Sequence, residues 1–400
     1  MRLGTANTYD NTLEHLMRRQ VELASQQEKL SSGKKINRAS DDPTGAAQAE
    51  RALTRNTRIE TEERALVLQR NAITLAESTL GDATSAMQAL RELVVKANNG
   101  VMNSANRISL AQEMRGLREQ LFANANRNDT NGIPLFGGLG SAGTPFSDPA
   151  TGVVFNGIAG QRASTEVSLP GAMDGNAIFM NVPTGNGTFN VGLGGANTGT
   201  TWTSPGEVVS PGALTGDNYT VTFTVTATVP PVTTYDVVDT TTALPVPPAA
   251  QPYVDGQTIS FDGMSFVAHG VPQNGDTIQI TPSTQTDVFE VIDRAIASID
   301  GADGDNIMTQ ATNLALVEFD IGMDRIQSAR GQAGDWLNRG DRISDSQTSR
   351  SIQLQSDRSK AEDLDMVQGI SDFQKFQTGY QAALQSYASV QRLSLFNFIN

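Results

Sequence analysis

The sequence predicts a mainly α-helical protein with a β-rich domain inserted between two helical halves, the two chain ends forming a long antiparallel helical bundle or coiled coil. Three observations predict it: the placement of proline, heptad spacing in both flanks, and period-two alternation in the middle. Of the sixteen prolines, fifteen lie between Pro134 and Pro282, and the other is Pro43. Proline costs about 3 kcal/mol inside a helix. Long helices are therefore permitted over residues 44–133 and 283–400, and a continuous helix is excluded between them.

In the first flank Leu13, Leu16, Gln20, Leu23, Gln27 and Leu30 alternate three and four residues apart and so share one helix face. Ser31, Ser32 and Gly33 end that run. Asp42 can then cap a second helix, with Pro43 in its first turn, where a missing N–H costs nothing. In this helix Ile59, Leu66, Ile73, Leu80, Met87 and Val94 recur every seven residues, with Ala76, Ala83, Leu90 and Ala97 as a companion row. Residues 46–98 would span about 80 Å as a helix. After Asn98-Asn99-Gly100, a third helix carries Leu110, Met114, Leu117 and Leu121.

The middle holds twenty-three of the thirty-seven glycines, between Gly132 and Gly275. Over residues 219–229 threonine alternates with Val221, Phe223, Val225 and Ala227, the pattern of a half-buried strand. Residues 259–261 and 264–268 flank Asp262-Gly263, a hairpin turn signal. A second hairpin is expected around Asn274-Gly275, and residues 230–252, rich in proline and threonine, are expected to be an extended loop. Helical spacing resumes with Val288, Ile292, Ala295 and Ile299. Asp305 or Asn306 should cap the next helix, whose inward row reads Leu314, Val317 and Ile321. In the last forty residues Met366, Ile370, Phe373, Tyr380, Leu384 and Tyr387 form one row, Phe376, Ala383 and Val390 a parallel one, and Leu393 and Phe396 continue the apolar face.

Composition excludes several functions. The net charge is −14, and between residues 140 and 285 ten carboxylates face one cation, Arg162. Nucleic acid and anionic membrane surfaces would repel such a chain. Cysteine is absent, which removes disulfides, thiolate metal sites and thiol nucleophiles. No apolar run reaches the length of a membrane helix, so membrane insertion is not expected. The first ten residues lack the basic-then-apolar layout of a signal peptide, so export is expected by a route without one.

His15 and His269 lack metal-site spacing, Asp300, Asp303 and Asp305 lack that of a calcium loop, and Gly192, Gly194 and Gly195 lack the context of a dinucleotide turn. No P-loop, HExxH or GxSxG is present. The expectation is a protein without catalytic residues, cofactor or metal.

The seam from Ile59 to Val94 reads as intramolecular core. The stripes at the chain ends read differently, because two paired helices bury only one stripe each against the entropy of ordering some eighty residues. Leu13, Leu16, Leu23, Leu30, Ile370, Phe373, Tyr380, Leu384, Tyr387, Leu393 and Phe396 are therefore expected to meet neighbouring subunits. By the same reasoning residues 1–40 and 360–400 should be largely disordered in a free monomer.

The segment Leu30-Ser31-Ser32-Gly33-Lys34, followed by Ser40-Asp41-Asp42-Pro43, resembles the amino-terminal signature of the bacterial flagellin family. Arg91-Glu92-Leu93-Val94, Arg330-Gly331 and Leu337-Asn338-Arg339 are similar to its rod helices. Within that family, Met1-Arg2-Leu3-Gly4-Thr5, Gly132-Ile133-Pro134-Leu135-Phe136-Gly137-Gly138 and Leu393-Ser394-Leu395-Phe396-Asn397 look more like the hook-filament junction branch than like flagellins. Ser32, Gly33, Asp41, Asp42, Pro43, Arg330, Gly331 and Asn338 carry the signature.

The resemblance implies a terminal coiled-coil assembly domain from residues 1–41 and 360–400, a helical rod domain from 42–139 and 286–359, and an outer β-rich domain from 140–285. It also implies an extracellular structural subunit of the flagellum, exported unfolded through the type III apparatus with a chaperone. Such a subunit would form a ring of copies between another junction protein and flagellin. A filament-forming flagellin is the alternative, and a secreted adhesin using the middle domain a more distant one.

Overall fold

A computed structural model describes residues 5–98, 102–141, 143–301 and 304–399, with the side chains of 5–9 and 390–399 excepted. Its helices are α1 (Thr5–Ser32), α2 (Pro43–Ala97), α3 (Ser104–Ala125), α4 (Val288–Asp300), α5 (Asp305–Glu362) and α6 (Met366–Ile399). Short strands lie between α3 and α4, as the distribution of proline requires. The chain divides into two compact units, Met1–Ala65 with Arg342–Asn400, and Leu66–Asp341.

In the second unit the heptad row of α2 is core: Leu66, Ile73, Leu80, Met87 and Val94 are buried, as are Ala76, Ala83, Leu90 and Ala97. Leu110, Met114 and Leu121 of α3 join them, with Leu117 half-buried. The long helices run antiparallel: Arg70 pairs with Asp341, Glu77 with Arg330 at 2.6 Å and Arg91 with Asp320 at 2.8 Å, the α5 number falling as the α2 number rises. Asp287 caps α4 by accepting the Glu290 N–H at 2.8 Å, and Val288, Ile292, Ala295 and Ile299 of that helix are buried.

The inward row of α5 differs from the expected one. Leu314, Val317 and Ile321 are half-buried, and the buried positions from 308 to 326 are Met308, Gln310, Thr312, Ala315, Glu318, Phe319, Gly322, Met323 and Ile326. Three polar residues, Gln310, Thr312 and Glu318, lie in that face, and a search for apolar spacing passes over them. Nor does Asn306 cap α5: its side-chain amide donates to the carbonyls of Gly199 and Thr201.

The middle folds as antiparallel sheets around a shared core. A five-stranded sheet runs in the order Phe189–Leu193, Thr277–Pro282, Tyr219–Val225, Thr233–Asp239, Leu244–Pro252. The predicted hairpin pairs Gln257–Phe261 with Met264–His269, and the short strands Trp202–Thr203 and Glu207–Val208 pair with its second arm. Phe189, Val221, Phe223, Ile259, Phe266 and Ile278 belong to one buried cluster that joins the two sheets.

Three expectations fail here. Residues 230–252 are not an extended loop but largely two strands, Thr233–Asp239 and Leu244–Pro252. Pro245, Pro247, Pro248 and Pro252 lie in the second of these, an edge strand, where a missing N–H breaks no ladder and discourages pairing with another chain. The strand expected over 219–229 ends at Val225, because the chain turns back at Thr226, whose N–H donates to the Val232 carbonyl. Asn274-Gly275 makes no hairpin; the chain crosses there between sheets, Gly275 N–H donating to the Phe223 carbonyl and the Asn274 side chain accepting from Val225 N–H.

Two buried side chains of α5 tie this region to the helices. Gln310 accepts the Thr203 N–H at 2.6 Å and donates to the Val191 carbonyl at 2.8 Å. Glu318, 2 % exposed, accepts the Gly185 N–H at 2.9 Å and pairs with Arg294 at 2.7 Å. Burial pushes its carboxyl pKa up, against the pull of Arg294.

Alanine at Ile73 or Leu80, both fully buried, should lower unfolding free energy by about 2–5 kcal/mol in a denaturant titration. A loss under about 0.5 kcal/mol would take them out of the core.

Candidate assembly interface

Helices α1 and α6 pack against each other along their length. The end of α1 meets the start of α6, with the Gln26 side-chain amide donating to the Gly369 carbonyl at 3.1 Å, so the pair is antiparallel. Gly369 is where the helices approach closely: a Cβ there would lie 2.8 Å from Leu364 Cδ2 and 3.2 Å from Leu30 Cδ2.

The heptad reading selected part of the facing set. Leu13, Leu16, Leu23 and Leu30 of α1 and Phe373, Phe376, Tyr380, Ala383 and Tyr387 of α6 are half-buried. Gln20 and Gln27, in the same α1 row, are exposed, as are Ile370 and Leu384. The side chains of Val390, Leu393 and Phe396 lie outside the described residues. The structure also departs from the expectation of disordered ends, since residues 5–32 and 366–399 are helical. Yet no described residue of α1 is fully buried, and in α6 only Gly369, which has no side chain, is. Met17, Val21 and Val367, outside the predicted stripes, are 56 %, 69 % and 82 % exposed.

The loop after α1 is fastened to the turn between α5 and α6. Gly33, with a left-handed φ of 69°, ends α1. Its carbonyl accepts the Leu364 N–H at 2.9 Å, and Lys35 N–H donates to the Glu362 carbonyl at 2.8 Å. Lys34 and Arg358 both pair with the Glu362 carboxylate. The Lys34 hydrogen bond, helped by Arg358, holds that carboxyl below its usual 4.5.

The signature residues at this joint have identifiable local roles. Ser32 Oγ donates to Asn37 Oδ1 at 2.8 Å. Asp41 accepts the N–H groups of Arg38 and Asn37 at 2.9 and 3.0 Å. Asp42 caps α2 by accepting from Thr44 and Gly45, both at 3.0 Å, ahead of Pro43. Backbone donors, from Arg38 for Asp41 and from Gly45 for Asp42, hold both carboxyls below the usual range. In the second unit Arg330 pairs with Glu77, while Gly331 and Asn338 are exposed positions of α5.

Sequence reasoning missed the pairing of Lys34 with Glu362 and the closeness at Gly369. Gly369, in the first turn of the last helix and next to the apolar row, was the available signal for the second. Among the described residues no group of three His, Cys, Asp or Glu side chains could hold a metal ion, and no helix is long and apolar enough to cross a membrane.

The depressed Glu362 pKa sets a pH window for the joint. Its stabilising contribution is fully present above the unfolded value of 4.5 and is lost as pH falls through the lower folded value. Protection of the residue 33–42 amides, taken relative to their intrinsic exchange rate at each pH, should fall over that descent, and Glu362→Gln should be less protected at neutral pH with a flatter response. Identical profiles for the two proteins would remove Glu362 from the joint.

Comparison with known proteins follows the same outline. Residues 4–141 match the bacterial flagellin N-terminal helical region. Flagellar hook-associated protein 3 of Salmonella typhimurium is 34 % identical over 154 residues, 38 % of this chain and 48 % of that protein. A flagellin of Bacillus subtilis is 30 % identical over 161 residues, 40 % of this chain and 52 % of that protein. The chain thus spans about half the length of the curated relatives it matches. The crystal structure of flagellar hook-associated protein 3 from Legionella pneumophila superposes with a TM-score of 0.71 at 28 % identity, covering 78 % of this chain and 98 % of that one. Residues 4–141 thus match the bacterial flagellin N-terminal helical region, and the chain has the flagellin-like fold of the hook-associated protein 3 structures.

Proposed function

We propose that this chain is a structural subunit of the bacterial flagellum that joins the hook side to the flagellin filament. The observation that carries the reading is the terminal helix pair: an apolar seam along two helices of 28 and 34 residues with no described side chain fully buried. Such a seam is stabilised when neighbouring copies cover it, each large apolar side chain contributing about 1.5–3 kcal/mol on full burial. Leu13, Leu16, Leu23, Leu30, Ile370, Phe373, Tyr380, Leu384, Tyr387, Leu393 and Phe396 are the proposed contact residues.

In this reading residues 1–41 and 360–400 assemble, 42–139 and 286–359 form the rod, and 140–285 face outward. The copies form a ring, with a second junction protein on the hook side and flagellin on the other. A chaperone shields the apolar ends before type III export, and the protein works outside the cell. Similarity to hook-associated protein 3 and the flagellin N-terminal region supports the flagellar setting.

Deleting the gene from a motile host should leave hooks without filaments and flagellin shed into the medium. Filaments of normal length and attachment would overturn the junction role. Leu23→Asp should fail to restore filaments, yet lower the melting temperature of the free chain by no more than about 2–4 °C, because Leu23 is only half-buried there.

A further inference from the structure

Between residues 43–65 of α2 and 342–362 of α5, the first unit buries very little apolar surface. Its buried positions on α2 are Gly45, Ala49 and Ala52, and on α5 Ile343 and Gln347. Gln347 is 2 % exposed, and neither its Nε2 nor its Oε1 has a hydrogen-bond partner in the protein. One turn further along, Ser351 Oγ donates to Asn56 Oδ1 at 2.7 Å, a second polar contact between the same two helices. In the second unit the buried row of α2 is Leu66, Ile73, Leu80, Met87 and Val94, large and apolar throughout.

An amide withdrawn from water without replacement partners loses its hydration on closure and regains it on opening. A polar, unsatisfied layer in a seam whose other buried residues are Gly45, Ala49, Ala52 and Ile343 therefore favours local separation of the two helices, where a leucine or methionine would oppose it. We propose that Gln347 is a built-in weak layer that lets the α2–α5 pair of the first unit open in the free chain, so that this segment settles only when neighbouring copies cover the unit. The purpose assigned to the opening rests on the assembly reading above; the opening itself does not.

Hydrogen exchange on the free full-length chain tests it, at concentrations where the chain is monomeric. Amides of residues 47–64 and 344–361 should exchange at least about tenfold faster than those of 73–94 and 315–330. Gln347→Met, close in size and unbranched, and Gln347→Leu should each slow exchange of the first set about tenfold, the scale of one unsatisfied buried amide, and leave the second set unchanged. Unchanged or faster exchange in both variants, with helicity intact by circular dichroism, would overturn the weak layer. Association followed by light scattering tests its use, and both variants should assemble more slowly than wild type. Slowed exchange with unaltered assembly would overturn that part alone. Failure of the wild-type gene to restore filaments would instead count against the junction role.

Discussion

Two helices alone can hide only one stripe each from water, and much of this molecule follows from that limit. The ends of the chain carry apolar rows long enough to specify a coiled coil, but a pair has no third helix to close over them. Leucines and aromatics that would be core elsewhere stay half wet. A seam in this condition holds a helix in place and remains open to further contact, which suits a subunit whose stability comes partly from its neighbours.

The rest of the chain manages the consequences. The joint at residues 33–42 fastens α1 to the turn before α6 with backbone hydrogen bonds and the Lys34–Glu362–Arg358 cluster rather than with apolar packing. Directional polar contacts of this kind set a geometry without needing a thick core. In the second unit the opposite solution prevails: a fully buried heptad row, a helix α4 with one apolar face, and sheets held to α5 by Gln310 and Glu318. Edge prolines at 245, 247, 248 and 252 keep the five-stranded sheet from offering a free ladder along this edge.

Where one physical rule dominated, the fold was legible in the sequence. Proline placement delimited the helices, Asp42-Pro43 marked the start of α2, and the heptads picked out both the buried row of α2 and the faces that α1 and α6 turn to each other. Legibility failed where two rules competed. Residues 230–252 look like a loop by composition, and only their place at a sheet edge lets proline sit in a strand. On α5 the inward face includes Gln310, bonded to Thr203 and Val191 of the sheets, Thr312, whose hydroxyl returns to the Met308 carbonyl, and Glu318, held by Gly185 and Arg294, so it has no continuous apolar signature. At the candidate interface the seam could be read, but the joint could not, since Lys34 and Glu362 are joined only by folding.

The central claim is that the seam between α1 and α6 is incomplete in one copy and completed by others. Hydrogen exchange of the α1 and α6 amides, compared between the free chain and hook-filament junctions isolated from cells, measures this most directly. Weak protection around Leu16, Leu23, Phe373 and Tyr380 in the free chain, rising at least about a hundredfold in the junction, is the predicted result. Equal protection in both states would show that the pair is already complete by itself, and would contradict the claim.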